Sequence, residues 1–275
     1  MYKKIAVAVA LSPTCEALLA EAHRIQQLFD SELLLIHVGK FNEKEDQELR
    51  RIIRKVGIAE DHSAFLWKEG NTAEMILKAC ISEKVDLLIA GALKKENLYR
   101  YYMGSIARRI LRKADCSVLM LVKPSRKPKP FRRIVIQAGN DVVPAHALID
   151  GLELGKKEKA WVHIVREVPL YGLSMSIASE GSEQEYGEIK KRLVSHELHE
   201  VESKLEHIDT RGARVNIKVG AGRPGHVVAE YAEKNNADLL IMRGLERKLD
   251  LLDRFLRRDL EYIIANLPTN LLIVH

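Results

Sequence analysis

The chain of 275 residues repeats one pattern twice, and this repeat constrains its fold more than any other feature. Each copy opens with an apolar run, KKIAVAVALSP in the first and FRRIVIQAGND in the second. Each copy closes with two further runs, VDLLIAGA and CSVLMLV in the first, ADLLIMRG and TNLLIVH in the second. Because each copy is long enough to bury its own core, we expect one domain at 1–123 and another at 131–275.

Residues 124–130 separate the copies and contain three prolines, which exclude a helix or a central strand and predict a semi-extended linker. The stretch 123–133 holds six basic residues and no acidic one. It therefore accounts for the whole formal net charge of +6, which comes from 44 basic and 38 acidic residues. A basic excess confined to one linker is weak evidence for nucleic-acid binding, so we expect no specific nucleic-acid partner.

Within the first copy, apolar runs alternate with amphipathic helical segments. The spacing of apolar residues predicts helices at Glu16–Phe29 and Glu48–Val56. The runs are short and apolar throughout, as in strands that are covered on both faces: Ile5–Val9, Leu33–Val38, Ala64–Trp67, Leu87–Ala90 and Val118–Val122. This alternation favours right-handed βαβ crossovers. We expect an α/β fold of two doubly wound domains, each with a five-stranded parallel sheet.

The second copy is longer than the first around its second helix. Ile5 matches Ile134, 129 residues later, whereas Gly70 matches Gly222, 152 residues later. A capping box of Ser182 and Glu185 predicts the start of a long helix. One face of that helix would carry Val194, Leu198, Val201, Leu205 and Ile208. This stripe either packs on its own sheet or binds a partner, and the preceding loop 166–181 would act as a lid or contact surface.

Several classes of protein and site are disfavoured. No run approaches the roughly 20 apolar residues of a membrane helix, and the start resembles no signal peptide, so we expect a cytoplasmic protein without a membrane partner. The cysteines Cys15, Cys80 and Cys116 are odd in number and far apart in sequence, which favours reduced core thiols over disulfides or a metal cluster. His196 and His199 miss the HExxH zinc pattern by one residue.

The segment Gly91–Ile106 (GALKKENLYRYYMGSI) carries the strongest functional signal. It follows the fourth predicted strand and leads into a helix. Glycine and serine at a helix start present backbone N–H groups and a hydroxyl to phosphate, and the helix dipole favours negative charge. Lys94 would add a cation. The alternative is that Gly104 and Ser105 cap a helix without any ligand.

This segment and the tandem strand pattern resemble the universal stress protein family. Its nucleotide-binding members have Gly, two residues, Gly, nine residues, then Gly-Ser or Gly-Thr; Gly91, Gly104 and Ser105 match, while Lys94 replaces the second glycine. The resemblance implies an ATP or AMP site in the first copy, with Ile106 after the motif and the backbone of Val38 at the adenine. Lys94 would either contact a phosphate or fill its space.

Other positions depart from the family pattern. Ala10 stands where family members that bind ATP usually have an aspartate near the ribose and metal, which leaves Mg²⁺ binding open. In the second copy, Gly139 takes that place, Arg243 aligns with Gly91, and Arg257-Arg258 replace Gly104-Ser105. We therefore expect at most one degenerate nucleotide site, in the first copy.

Two other motifs have structural explanations. Gly220-Ala-Gly222-Arg-Pro-Gly225 is a literal GxGxxG between a predicted strand and helix. We do not expect a dinucleotide site there, because the next strand ends in Arg243 and lacks an acid for the ribose. His37 and His163 are expected at matching strand ends, with a shared structural role.

The resemblance implies a stress-response binding or signalling protein, not an enzyme. One alternative is a slow ATP hydrolase or nucleotide-gated switch that uses Lys94 and Ser105. Another is a nucleotide-free scaffold or small-ligand binder. Domains of this family commonly pair through their last strands, so we expect Val118–Val122 to pair with Leu271–Val274 within the chain; a homodimer is also open, and protein partners are not indicated.

Overall fold

The computed structural model describes residues 1–92, 103–138, 146–169, 183–206, 210, 212–222, 225–244 and 260–275. The chain divides into two compact units. The first unit comprises Met1–Pro130 and Asn270–His275, and the second comprises Phe131–Thr269. The sequence repeat assigns the C-terminal strand to the second copy, but in the structure this strand belongs to the first unit.

In the first unit, five strands alternate with four helices. The strands are β1 (Lys4–Val9), β2 (Glu32–Val38), β3 (Ser63–Lys68), β4 (Leu87–Gly91) and β5 (Ser117–Leu121). The helices are α1 (Cys15–Phe29), α2 (Glu43–Val56), α3 (Thr72–Ser82) and α4 (Ser105–Lys113), with a short 3-10 turn at Glu60–His62. All five strands expected in this copy are therefore present, with bounds shifted by a residue or two.

Helix α2 begins earlier than its apolar pattern predicts. Asn42 caps the helix, and its side-chain oxygen accepts hydrogen bonds from the backbone N–H groups of Lys44 (3.0 Å) and Glu45 (3.4 Å). Three acidic residues in the first turn also complement the helix dipole. This first turn has only polar side chains and none of them is buried, so hydrophobic periodicity does not reveal it.

The five strands run parallel in the order β3-β2-β1-β4-β5. Helices α1 and α2 pack against each other, as do α3 and α4. Right-handed crossovers place these two pairs on opposite faces of the sheet, which explains why all five residues of β5 are buried. The direction of the connections reverses between β1 and β4. Ligands of doubly wound folds bind at the carboxyl ends of the strands at such a switch point.

The last strand, β10 (Asn270–Val274), runs antiparallel to β5. Leu272 lies opposite Leu119, and Ile273 lies opposite Val118. The Asn270 side-chain oxygen also accepts a hydrogen bond from Val122 N at 2.8 Å. The expected pairing of these two apolar segments is therefore present, and it covers an edge of β5 that would otherwise be open.

The second unit repeats the alternation. Its strands are β6 (Arg133–Ala138), β7 (Trp161–Pro169), β8 (Arg214–Gly222) and β9 (Leu239–Arg243), parallel in the order β9-β6-β7-β8. The helices are α5 (His146–Glu158), α6 (Glu183–Glu206) and α7 (His226–Lys234), and residues 260–265 are also helical. The fold class is thus α/β, as expected, with β10 as the antiparallel strand among those described.

Helix α6 is the long helix that the sequence predicts. It contacts β7 and β8, and Val201 on its apolar stripe is buried. These contacts favour the interpretation that the stripe packs on its own sheet. Ser182 of the expected capping box, Ile208 and residues 170–181 of the expected lid loop lie outside the described residues. Among the helices described, none is long and apolar enough to span a bilayer.

Candidate functional site

The switch point of the first unit gathers most of the expected site residues at one edge of the sheet. Ala10 follows β1 and is exposed, Val38 ends β2, and Gly91 ends β4. Gly104 and Ser105 begin α4, the helix that follows β4. Because parallel strands present their carboxyl ends at the same edge, these positions lie along one edge of the sheet. Lys94 lies outside the described residues.

The N-cap residue of helix α4 provides no capping side chain. This residue is Gly104, with extended backbone (φ −63°, ψ 165°), and among the described residues no side-chain cap hydrogen bond is formed there. Ser105 and Ile106 are exposed at this end. Farther along, Arg108 turns back to donate a hydrogen bond to Met103 O at 3.0 Å. The first N–H groups of α4 and the positive end of its dipole are therefore suited to an anion.

Packing against the described residues does not require a glycine at position 91. A Cβ atom there would come no closer than 3.9 Å to the Leu18 side chain, an ordinary contact. Gly91 contributes no side chain at the end of β4, and the N-terminus of α4, the next described helix, offers N–H groups to an anion.

An aromatic cluster supports the end of β2 beside Val38. The buried His37 ring is hydrogen-bonded through Nδ1 to Val9 O at 3.1 Å, and its centroid lies 4.2 Å from that of Trp67. Trp67 donates a hydrogen bond from Nε1 to Gly39 O at 2.8 Å. Phe41 packs edge-on against Trp67 and stays 62% exposed. Sequence analysis missed this cluster, because its members come from two different strands and one loop.

The matching edge of the second unit is built differently. Val9 lies opposite His37 in the first unit, and Ala138 lies opposite Arg166 in the second. Arg166 is therefore the counterpart of His37, and the next residue, Glu167, is the counterpart of Val38. The expectation that His37 and His163 match is wrong, since His163 lies opposite Val135. A shift of three residues along a strand also moves a side chain to the other face of the sheet.

Arg166 fills part of the second unit's edge with a buried ion pair. Its Nε and Nη2 atoms donate to Glu197 Oε2 on α6 at 2.7 and 2.6 Å, and its side chain is 8% exposed. Its Nη1 atom also donates to Ala138 O at 3.4 Å, much as His37 bonds to Val9 O. The offset of 129 residues, which holds through the first two strands of each copy, was the signal that would have identified Arg166 and Glu167.

Glu167 caps helix α7 with its carboxylate. Oε1 accepts from Val228 N at 2.9 Å, and Oε2 accepts from Gly225 N at 3.0 Å and from Gln137 Nε2 at 3.2 Å. Burial raises the pKa of this carboxyl above its usual range, although these hydrogen bonds oppose the shift. An acid thus already lies at the helix N-terminus that follows the GxGxxG segment.

The glycines of that segment serve packing. A Cβ atom at Gly220 would lie 2.5 Å from a Val227 methyl group, and one at Gly222 would lie 2.6 Å from the other. Val227, on the first turn of α7, therefore packs directly over the backbone of β8. Together with the Glu167 cap, this arrangement argues against a dinucleotide pyrophosphate at this helix.

The remaining candidates belong to the second unit. Arg243 ends β9 at the position that corresponds to Gly91 at the end of β4, as expected. His196 and His199 are exposed on α6. Gly139, Arg257 and Arg258 lie outside the described residues. Within the described part of the chain, no group of three or more His, Cys, Asp or Glu side chains is arranged to hold a metal ion.

Comparison with known proteins identifies the family. The Universal stress protein family model matches residues 42–123 and 130–275. A universal stress protein of Methanocaldococcus jannaschii is 27% identical over 150 residues, which cover 46% of this chain and 86% of that protein. A putative universal stress protein of Pseudomonas aeruginosa has the same fold at 16% identity, with a TM-score of 0.69 and coverage of 99% of this chain and 93% of that one. One from Archaeoglobus fulgidus, at 14% identity, has a TM-score of 0.64 and coverage of 98% and 97%. The chain belongs to the universal stress protein family.

Proposed function

We propose that the protein binds one adenine nucleotide, ATP or AMP, in the first unit and acts as a stress-response binding or signalling protein, not as an enzyme. The observation that carries this proposal is the N-terminus of α4, where the N-cap residue Gly104 provides no capping side chain. Packing among the described residues also does not explain the glycine at position 91. Family membership and the motif of Gly91, Gly104 and Ser105 support it further.

The phosphates would lie between the end of β4 and the first turn of α4. Backbone N–H groups of that turn and the Ser105 hydroxyl are the donors that the described residues offer. Lys94, between these elements in sequence, would contribute charge to the same phosphates. The phosphates would thus be bound by the N-terminus of the helix, which stabilises their negative charge without a carboxylate that holds a metal ion.

The base would lie toward the end of β2. Val38 would contact the adenine through its backbone, and the exposed apolar side chains of Leu11 (39%) and Ile106 (46%) lie at the same edge of the sheet. Exposed apolar groups beside a polar crevice are typical of small-molecule sites. Trp67 donates a hydrogen bond to the carbonyl of Gly39, the residue after Val38. The fluorescence of Trp67 should therefore change when a base binds at Val38.

The second unit would not bind nucleotide. At the position of Val38, where the base would lie, it has Glu167, whose carboxylate already accepts hydrogen bonds from α7 and Gln137. At the position of His37 it has Arg166, which is paired with Glu197. Arg243, which replaces Gly91, would narrow the space at the end of β9. These three differences restrict the proposed site to the first unit.

Trp67 fluorescence tests the proposal in the full chain. The chain has two tryptophans, so Trp161→Phe leaves Trp67 as the reporter. Titration with ATP and with AMP should give a saturable change, and Gly104→Arg should abolish it by placing a side chain at the start of α4. Lys113→Ala, at the other end of the same helix, is the matched control and should bind normally.

Two results would overturn the proposal. One is a nucleotide affinity of Gly104→Arg equal to that of the control. The other is the absence of both a fluorescence change and nucleotide retention in equilibrium dialysis.

A further inference from the structure

An exposed tryptophan lies between two arginines at the amino end of the second unit's sheet. Trp161 begins β7, and the strand register places it opposite Arg133 of β6 and Arg214 of β8. Because side chains alternate along each strand, residues paired in register project from the same face of the sheet. The Arg214 guanidinium carbon lies 5.8 Å from the centroid of the Trp161 ring, a cation–π contact. Trp161 nevertheless remains 49% exposed.

Arg133 lies on the same face as Trp161, beside the end of α7. Its Nη1 atom donates a hydrogen bond to the backbone oxygen of Asn235, the C-cap residue of α7, at 3.1 Å. Helix α7 covers this face, since the Tyr231 hydroxyl is hydrogen-bonded to Nδ1 of His163, two residues along β7 from Trp161, at 3.0 Å. The acceptor of Arg133 is a neutral carbonyl group, so this hydrogen bond orients the guanidinium without neutralising its charge.

More basic residues lie at this end of the sheet, which α5 approaches with its C-terminus. They are Arg132, Lys156, Lys157 and Lys159. Lys156 and Lys157 belong to the last turn of α5, where they complement the negative end of the helix dipole. Arg133, Lys159 and Arg214 lie outside the helices and are exposed.

Four carboxylates in the same region offset part of this charge. Glu158 is buried, with 4% exposure. Asp238 accepts hydrogen bonds from the backbone N–H groups of Arg132 at 2.7 Å and Arg133 at 2.9 Å. On α7, Glu233 is exposed and Glu230 pairs with Lys234 at 2.6 Å. The basic side chains named above outnumber these carboxylates, so the surface around Trp161 attracts anions.

The first unit shows that the fold does not require this tryptophan. There, Glu32 begins β2 and lies opposite Lys4 of β1, as Trp161 begins β7 and lies opposite Arg133. Glu32 is exposed, and Lys4 pairs with Glu83 at 2.9 Å. The same strand therefore forms with an exposed carboxylate in the equivalent position. A half-exposed indole among cations points to a contact outside the chain.

We propose that the surface formed by Arg133, Trp161 and Arg214 binds single-stranded nucleic acid, independently of base sequence. One base would stack on the exposed part of the Trp161 ring, and the two arginines would contact phosphates on either side. Binding sites for single strands combine these two features, since cations follow the backbone and aromatic rings stack on bases. The surface belongs to the second unit, so this proposal does not depend on the nucleotide site of the first.

Two other anionic partners fit the surface less well. Binding to an anionic membrane requires several apolar side chains on one face. In the described part of the second unit, the other exposed large apolar side chain is Ile149, near the opposite end of α5 from Trp161. An acidic peptide would pair with the arginines but would not use the face of the indole ring.

Substitutions of Trp161 test the stacking of a base in the full chain. Fluorescence anisotropy of a fluorescein-labelled oligouridine measures the affinity. Trp161→Ala should weaken binding about tenfold, whereas Trp161→Phe should keep most of it because a ring remains. Trp161→Lys adds a positive charge but removes the ring. It should therefore bind more weakly than the native chain, whereas a purely electrostatic surface would bind more tightly.

The salt dependence of binding tests the phosphate contacts. Arg214→Ala should reduce the slope of log affinity against log salt concentration by about 0.7, the value for one phosphate contact with a single strand. Lys218→Ala is the matched control, because it removes an exposed cation four residues farther along the same strand. This control should leave both the slope and the affinity near their native values.

Three results would overturn the proposal. The first is that native chain and oligouridine do not bind each other at low salt. The second is an affinity of Trp161→Lys equal to or higher than that of the native chain. The third is Trp161-dependent binding to phosphatidylserine vesicles or polyglutamate without binding to oligouridine. If Trp161→Lys fails to fold, equal salt slopes for Arg214→Ala and Lys218→Ala would overturn it instead.

Discussion

Single residues distinguish the two copies of the fold at the carboxyl end of the second strand of each copy. Val38 ends β2 with a small apolar side chain, whereas its counterpart Glu167 extends a carboxylate to the start of α7. His37 and its counterpart Arg166 are hydrogen-bonded to equivalent carbonyl groups of the neighbouring strand, Val9 O and Ala138 O. Of the two, Arg166 also forms an ion pair with Glu197 on α6. Substitutions at two adjacent positions therefore account for much of the difference in proposed ligand binding.

Glu167→Gln should destabilise the second unit by about 1–2 kcal/mol near pH 7, because an amide cannot accept hydrogen bonds from all three donors that Glu167 serves. Since burial raises the pKa of Glu167 in the folded state, its proton stabilises the fold below the ordinary carboxyl pKa, and that contribution is lost as pH rises through the raised value. The native chain should thus gain stability relative to the variant as pH falls toward 4.5.

Urea unfolding of both proteins at several pH values measures this difference. Glu233→Gln changes an exposed carboxylate on α7, the helix that Glu167 caps; this control should leave stability nearly unchanged. If the difference in free energy of unfolding between the native chain and Glu167→Gln shrinks at lower pH, the raised pKa of Glu167 in the folded state is contradicted.

The alanine at position 10 leads to a prediction about the rate of ATP hydrolysis. Phosphoryl transfer relies on charge neutralisation, usually by Mg²⁺ held through a protein carboxylate, and Ala10 offers none at the end of β1. Even with ATP bound, hydrolysis should stay well below about 1 s⁻¹, the low end of typical enzyme rates. Phosphate release is compared between the native chain and Ala10→Asp. Native turnover at or above that rate would favour the ATP hydrolase alternative.

At the scale of elements, the contact of α7 with β8 explains two of the glycines in the GxGxxG segment. Gly220→Ala should destabilise the protein by about 1–3 kcal/mol, because its new methyl group would meet Val227 at 2.5 Å. Val227→Ala removes that methyl and should recover part of the loss, which a double-mutant cycle by urea unfolding would measure. Additive effects of the two substitutions would show that Gly220 serves another purpose.

The sequence predicts elements well where one residue pattern determines them. The apolar composition of β1, β2, β4 and β5 was enough to predict these strands, and the resemblance to the family implied the pairing of β5 with the last strand. The start of α2 depends on the Asn42 cap and exposed acids, which leave no apolar period. The first-unit site stays a prediction that rests on Gly91 and Gly104, whereas the contacts of Trp67, Arg166 and Glu167 required the strand register.

At the scale of the whole molecule, the last strand completes the unit formed by the first half of the chain. Deletion of residues 270–275 should expose the edge of β5, whose five residues are all buried in the intact protein. An open apolar edge pairs with other chains, so the truncated protein should self-associate or aggregate. Light scattering after size exclusion would detect this, with deletion of His275 alone as the control. A truncated chain that remains a stable monomer would show that β10 is dispensable.

The central claim is that one of the two related units, the first, binds an adenine nucleotide. Equilibrium dialysis of the intact chain against ATP at concentrations well above that of the protein measures the stoichiometry directly. The account predicts one nucleotide per chain, lost in Gly104→Arg and retained in Lys113→Ala. Two equivalent nucleotides per chain, or none, would contradict it.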